Sequence, residues 1–476
     1  MAATSTPIPL PLSSEPGLSK LASDERLVNC YPETAGSGPN ERVVLYGSHG
    51  LTAWSNGVLT GECRGLLNLD DATLLAVQGS TLYTYDTAGA VTNIGTVSGT
   101  DPVIMARNAA GTPDVAIVCA AGVYIYKGGA LSLLSDPDLP AGSVGVIWID
   151  GYLIFALADG RFFWSGINAT TISALDFATA EANPDGLVAV AKLNREIYFL
   201  GSQTVEVWTN TGAATQPFER LPGAVIEEGC ASKHTVVNMN GALFWLNTDN
   251  QVVRTAGGYQ VETVSNRGVY EAVRAVADKT EIRAFHYTIA QHSYYVLTHS
   301  TFTWVFDATL GRWYERKSKN NPCWRIVAAE LFDNQILMGS RLEATIWAVD
   351  EDAFAEGTDE IEMIARFPRL DVHPNGATVD QIDLDFETGV GDAGGAYSDT
   401  ITPVGLLYWS DDGGKTLKGG RTFQLGPQGE YTRRVRLTRL GSYGPKGRLF
   451  EVRVTSRVFR ALIGASVRIE PRDLGG

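Results

Sequence analysis

The chain has 476 residues, 44% hydrophobic and 19% charged, with 51 glycines and a formal net charge of −15. That length is too great for one simple core and asks for two domains or a repeat array, and the composition is not that of a disordered chain. The negative balance excludes a general nucleic-acid coat, and no apolar run reaches the roughly 18 residues a membrane-spanning helix needs.

Residues 1–42 carry prolines at 7, 9, 11, 16, 32 and 39 and read as an irregular, Pro-rich N-terminal arm, because proline excludes continuous helix and central strand. The apolar run at 7–12 is proline-broken and lacks a basic flank, so it is not a signal peptide, and synthesis in the cytoplasm is expected. Cys30, Cys63, Cys119, Cys230 and Cys323 lie far apart with no C-x-x-C pair. Such a set points to reduced, buried thiols and away from a disulfide framework or a zinc site.

From residue 43 a module recurs in which two β-branched and aromatic runs flank a short Gly/Ser/Asp/Asn turn. Its copies are 74–86 (LLAVQGSTLYTYD), 115–128 (VAIVCAAGVYIYKG), 152–166 (YLIFALADGRFFWSG) and 196–210 (EIYFLGSQTVEVWTN). Further copies follow at 242–256 (ALFWLNTDNQVVRTA), 293–307 (SYYVLTHSTFTWVFD) and 335–350 (QILMGSRLEATIWAVD). Each is a hairpin signature, and a spacing of roughly 35 to 50 residues is the length of a four-stranded blade. The expected fold is mainly β with little helix: a β-propeller of six to eight blades over 43–355, followed by a small antiparallel β-sandwich-like domain over 356–476. A row of sandwiches would show less regular spacing. The best helix candidate is 270–279 (YEAVRAVADK), and the acidic stretch 350–362 reads as a connector or short helix.

Beyond 362 the strands alternate apolar with charged residues, as in Arg434-Val435-Arg436-Leu437 and Glu451-Val452-Arg453-Val454, the mark of a half-buried strand. Residues 421–476 hold twelve Arg and Lys against Glu430, Glu451, Glu470 and Asp473. This basic end on an acidic body makes Arg433, Arg434, Arg436, Arg439, Arg448 and Arg453 candidate interface residues. Ser410, Asp412, Gly414 and Thr416 lie in a turn of Asp-box form, S-x-D-x-G-x-T, with Leu417 where that box has tryptophan; its expected role is structural.

Chemical motifs are sparse. The six histidines (His49, His234, His286, His292, His299, His373) show no H-E-x-x-H spacing, and there is no G-x-S-x-G elbow, P-loop or dinucleotide fingerprint. Acid pairs such as Asp70/Asp71, Glu227/Glu228 and Asp383/Asp385 are what 53 acids produce by chance. No catalytic, cofactor-binding or metal residue is assigned, and no cofactor is expected. Ten tryptophans, Trp54, Trp164, Trp208 and Trp245 among them, leave a carbohydrate-binding or glycan-cleaving receptor-recognition protein as the alternative reading.

An ordered series closes the chain: Tyr408-Trp409-Ser410-Asp411-Asp412-Gly413-Gly414-Lys415-Thr416, then Gly429-Glu430-Tyr431, Arg439-Leu440-Gly441 and Arg448-Leu449-Phe450-Glu451-Val452. Near the start stands Val28-Asn29-Cys30-Tyr31-Pro32-Glu33. Together these resemble the tail nozzle, or packaged-DNA-stabilisation, proteins of short-tailed phages. The resemblance covers both ends closely and the middle in character; Leu449 stands where that family usually has a charged residue. It implies a structural virion protein that forms a ring, typically a hexamer, beneath the portal and its adaptor. Its expected partners are copies of itself, portal-adaptor proteins, tail fibres or spikes, and packaged double-stranded DNA passing through the lumen without sequence-specific binding. Contact with the host cell surface is compatible with this, and membrane insertion is not expected. A net-negative wall would let DNA slide.

Overall fold

The computed structural model describes residues 5–36, 41–55, 61–180, 185–372 and 375–472. Among the described residues the seven sequence hairpins are the two central strands of seven four-stranded antiparallel blades, five of them separate sheets and two continued into larger ones. Blades 1 to 6 are consecutive in sequence, and their innermost strands are Cys63–Asp70, Ile104–Arg107, Ser143–Ile149, Leu187–Leu193, Val237–Met239 and Arg283–Ile289. Blade 7 takes three strands from Ile326–Phe332, Gln335–Ser340 and Ile346–Asp350. Its fourth strand, Gly50–Ala53, comes from the other end of the chain.

Each central strand is covered on both faces, which is why the hairpins read as near-continuous apolar runs. Leu75 and Val77 pack toward blade 2, while Leu74 and Ala76 of the same strand pack toward blade 7. Every blade boundary has such a cluster, built at blades 3 and 4 around stacked Phe162 and Phe199, and at blades 5 and 6 around Phe244 and Tyr295. The cluster joining blade 7 (Phe332, Leu337, Ile346) to blade 1 (Cys63, Leu66, Leu74) makes the ring continuous. All five cysteines are buried and free.

The sandwich draws on both ends of the chain. One sheet has the order Cys30–Ala35, Arg42–Gly47, Ala461–Arg472, Gly376–Phe386, Val435–Tyr443, with Ser5–Ile8 along Ala461–Arg472. The other has the order Asp24–Val28, Met363–Arg366, Leu449–Val454, Val404–Ser410, Lys418–Gln424. Val28 also pairs in parallel with Glu315 of blade 6, so that blade and this sheet form one ladder. The expected irregular arm is therefore corrected, since its described part contains four strands. Its prolines lie where proline is tolerated, with Pro7 and Pro32 on sheet edges. Pro39 and His373 lie outside the described residues.

Helix is scarce, as expected. The helix forms over Arg267–Ala275, three residues earlier than predicted, because the Asn266 side chain caps it by accepting from the Val269 backbone N–H. The stretch 350–362 holds no helix; two short strands, Ala355–Glu356 and Asp359–Glu360, pair there instead. Among the described residues no helix is long and apolar enough to cross a membrane.

Leu51, 1% exposed, anchors the closing strand opposite Val349. Leu51→Ala is expected to cost about 2–5 kcal/mol in urea unfolding, as for other buried leucines. Leu175→Ser, at a side chain 85% exposed, is expected to stay within about 0.5 kcal/mol.

Candidate assembly site at the propeller–sandwich junction

Two of the family-like motifs, Val28–Glu33 and Arg448–Val452, supply residues to the junction between ring and sandwich. Asn29 takes a left-handed conformation (φ 54°), which asparagine tolerates better than most residues. Its Nδ2 donates to the Lys317 and Glu362 carbonyls at 3.0 and 2.9 Å, and its Oδ1 accepts from the Lys317 N–H at 3.0 Å. One amide thus ties together the exit of blade 6, the connector and the start of the chain. Next to it Cys30 is fully buried, and Tyr31 packs against His292 and Tyr314 of blade 6.

A second knot is ionic. Arg366 pairs with Asp24 and, at 2.7 Å, with Glu451; all three are less than a tenth exposed. Arg453 then joins Glu451 at 2.6 Å to Glu362 at 3.3 Å, and Lys317 reaches Glu362 at 2.7 Å. The charged face of the Glu451–Val454 strand, expected in solvent, is thus largely covered. Burying Arg366 with only one carboxylate would leave uncompensated charge, so the cluster holds as a unit. Sequence reading missed Asp24 and Arg366, which are adjacent only after folding.

The Asp-box turn stands beside this cluster. Ser410 Oγ donates to Asp412 Oδ1 at 2.7 Å and accepts from the Gly414 N–H at 2.9 Å. Thr416 donates to Asp412 through both its hydroxyl and its N–H, and these bonds, with that from Ser410, hold the Asp412 carboxyl well below the usual carboxylate range. Gly413 and Gly414 have φ of 78° and 82°; a Cβ on Gly413 would meet Leu21, and one on Gly414 would meet Asp24. The turn is a flat pad on which the N-terminal segment lies.

The six candidate arginines separate by environment. Arg448, 2% exposed, binds Asp411 in a bidentate pair (2.6 and 3.1 Å) and donates to the carbonyls of Leu440, Gly441 and Ser442 at 2.8–3.3 Å. It lies 5.6 Å from the Trp409 ring and 5.4 Å from that of Tyr443. Three of the quoted motifs meet at this one guanidinium. Arg453 is held by the ionic cluster and Tyr408. Arg433 and Arg436 make partly exposed pairs with Glu430 and Asp383 at 2.7 Å. Arg434 and Arg439 are exposed, Arg439 at φ 60°. Arg434 and Arg436, with Asp383, Asp385 and Pro7, line a surface hollow.

Around the propeller axis the innermost strands line a channel. Its walls are stitched across blades: Asn68 donates to the Leu331 carbonyl at 2.9 Å, Lys192 to that of Trp148 at 2.9 Å and Asn238 to that of Lys192 at 2.8 Å. At the mouth where these strands begin stand Glu62, Asp101, Lys233, His234, Arg283 and Arg341. Burial, with Lys233 and Arg283 adding to it, lowers the His234 pKa to about 3. At the junction the hydrogen bond that His292 Nδ1 donates to Asp307, 2.7 Å away, raises that of His292. His286 and His299 stand on different strands, and no group of three or more His, Cys, Asp or Glu among the described residues could hold a metal.

A continuous ring of four-stranded blades with a sandwich fused to it defines a β-propeller protein. Residues 23–354 match the family described as Bacteriophage P22 Gp10, β-propeller, and the chain belongs to that family. It is 22% identical over 348 residues to the tail hub protein gp10 of Salmonella phage P22, covering 65% of this chain and 69% of that one. Similar solved structures include virginiamycin B lyase from Staphylococcus aureus (10% identity, TM-score 0.45, covering 63% of this chain and 99% of the lyase). Another is the WD40 β-propeller domain of Doa1 (10% identity, TM-score 0.42, covering 63% and 96%).

Arg448→Ala removes the donor of the Leu440, Gly441 and Ser442 carbonyls and leaves Asp411 paired with Lys418 alone, 3.5 Å away, and is expected to cost about 1–3 kcal/mol in urea unfolding, whereas Arg434→Ala is expected to change stability by less than about 0.5 kcal/mol. The two histidines give opposite pH signs. The unfolded chain protonates His234 near its ordinary value and the folded chain does not, so this stability is present above about pH 6.5 and lost as pH falls toward 3. His234→Gln should flatten that acid limb in denaturation measured against pH. The His292 contribution is present below about pH 6.5 and lost as pH rises through its elevated value, so His292→Gln should destabilise more at pH 6 than at pH 9.

Proposed function

We propose that this chain is a structural protein of a short phage tail, located in the virion: the hub or nozzle ring below the portal and its adaptor. In this reading it retains packaged DNA, forms the conduit for its ejection and performs no catalysis. The observation that carries the reading is family membership across 23–354, reinforced by the tail hub protein of phage P22 among its relatives.

The partners in this reading are copies of the same chain in a ring, a hexamer by the family resemblance, together with portal-adaptor proteins and tail fibres or spikes. Packaged DNA passes without sequence-specific contact. The basic C-terminal strands support a subunit-to-subunit role, because Arg434 and Arg439 remain exposed on a chain of net charge −15. The burial of Arg448 and the pairing of Arg453 with Glu451 and Glu362 favour internal roles for these two. The glycan reading loses its support, because Trp164, Trp208, Trp245, Trp304, Trp313 and Trp324 are buried in blade cores.

The test is complementation of phage heads assembled without this protein. They are expected to fill with DNA and lose it, and the purified chain should add a ring visible by electron microscopy and restore retention and infectivity. Heads that keep their DNA and infect without the chain, or a purified chain that never joins them, would overturn the proposal.

A further inference from the structure

At the channel end opposite Glu62 and Asp101, the innermost strands of blades 1 to 4 line a half-open hollow of about 580 Å³. Its polar lining consists of donors. Arg107, which also bonds the Leu69 carbonyl and acts on the nearby Glu330, and Lys192 bring two positive charges, and no carboxylate is among the described residues that line the cavity. Lys192 Nζ lies 5.2 Å from the Trp148 ring centroid. Desolvation, with the Arg107 charge adding to it, lowers the Lys192 pKa, and Asp150 only partly offsets this.

Two further donors are unspent. Asn108 is 3% exposed, and its Oδ1 accepts from the backbone N–H groups of Ala110 and Asp114 at 3.3 and 2.8 Å. Those two bonds fix which end of the amide is oxygen. They leave Nδ2 as a buried donor with no partner among the described residues. Trp148 Nε1 is likewise buried without a partner. Buried donors left unpaired cost roughly 1–3 kcal/mol each, which an acceptor from outside the chain would relieve. The rest of the wall, including Leu67, Met105, Val146 and Ile147, is apolar.

We propose that this cavity binds an acidic peptide segment of a partner protein. A carboxylate is held by Arg107, Lys192 and the free N–H groups of Asn108 and Trp148, and an adjoining apolar side chain lies on the apolar wall. The size selects the ligand, since about 580 Å³ accommodates a side chain or a chain end. A duplex, whose major groove alone is about 12 Å wide, does not enter. The inference stands independently of the tail reading.

The test is fluorescence anisotropy with a labelled peptide repeating Glu-Glu-Leu, its Gln-Gln-Leu counterpart, and a short single-stranded oligodeoxynucleotide as competitor. The full chain is expected to bind the glutamate peptide at least about tenfold more tightly than the glutamine one, the worth of one charge-assisted hydrogen bond. Arg107→Gln and Lys192→Gln, at exposed side chains that also bond the Leu69 and Trp148 carbonyls, should each weaken binding by a similar factor when measured well below each variant's own melting temperature. Trp148→Phe, which keeps the ring and removes the N–H, should weaken it several-fold. Equal affinity for the two peptides, binding that survives both charge substitutions, or displacement by the oligonucleotide would overturn the proposal.

Discussion

Pairing between Gly50–Ala53 and Ile346–Asp350 is the constraint on which the rest of the structure depends. A propeller blade cannot bury either face alone, so each of the seven boundary clusters relies on the ring being complete. Completing it with a strand from the start of the chain fixes where both ends must lie. The described residues before 50 and after 350 then emerge beside blades 6 and 7, and the sandwich is what those ends make of their shared position.

The junction is held by two kinds of force that resist different failures. Apolar packing runs unbroken from Phe285 and Trp324 in the ring through Met363 and Phe367 to Leu407 and Val452 in the sandwich. Such packing is strong but tolerant of small displacement. The Asn29 amide and the Arg366 cluster are directional, and they set register where packing alone would permit slippage. The arginine-rich character of the closing region therefore has two sources. Arg448 and Arg453 are internal fasteners, while Arg434 and Arg439 are surface charge.

Local chemistry was legible in the sequence. The seven hairpins, the Asp-box turn and the scarcity of helix depend on residues within a few positions of one another, and periodicity reports them. The N-terminal strands were not legible. Ser5–Ile8 pairs with residues 465–468, and Asp24–Val28 with residues 364–366, so nothing near them in sequence marks them as strands, and their prolines argue the opposite. The same holds for the site. Glu451 alternates like a solvent-facing residue, and only the arrival of Arg366 and Arg453 makes it a buried one. Asn108 and Trp148 carried no signal at all, because an unpaired donor is a property of three-dimensional surroundings.

The closing strand also bears on how the molecule is made. Residues 50–53 leave the ribosome roughly 300 residues before their partner, and at about 5–20 residues per second they wait on the order of 15–60 seconds for it. During that interval the blade 1 face carrying Cys63, Leu66 and Leu74 has no cover, and contacts of such long sequence separation are the slow ones to form. Vectorial synthesis thus leaves an apolar, strand-edged intermediate in the host until the last blade appears.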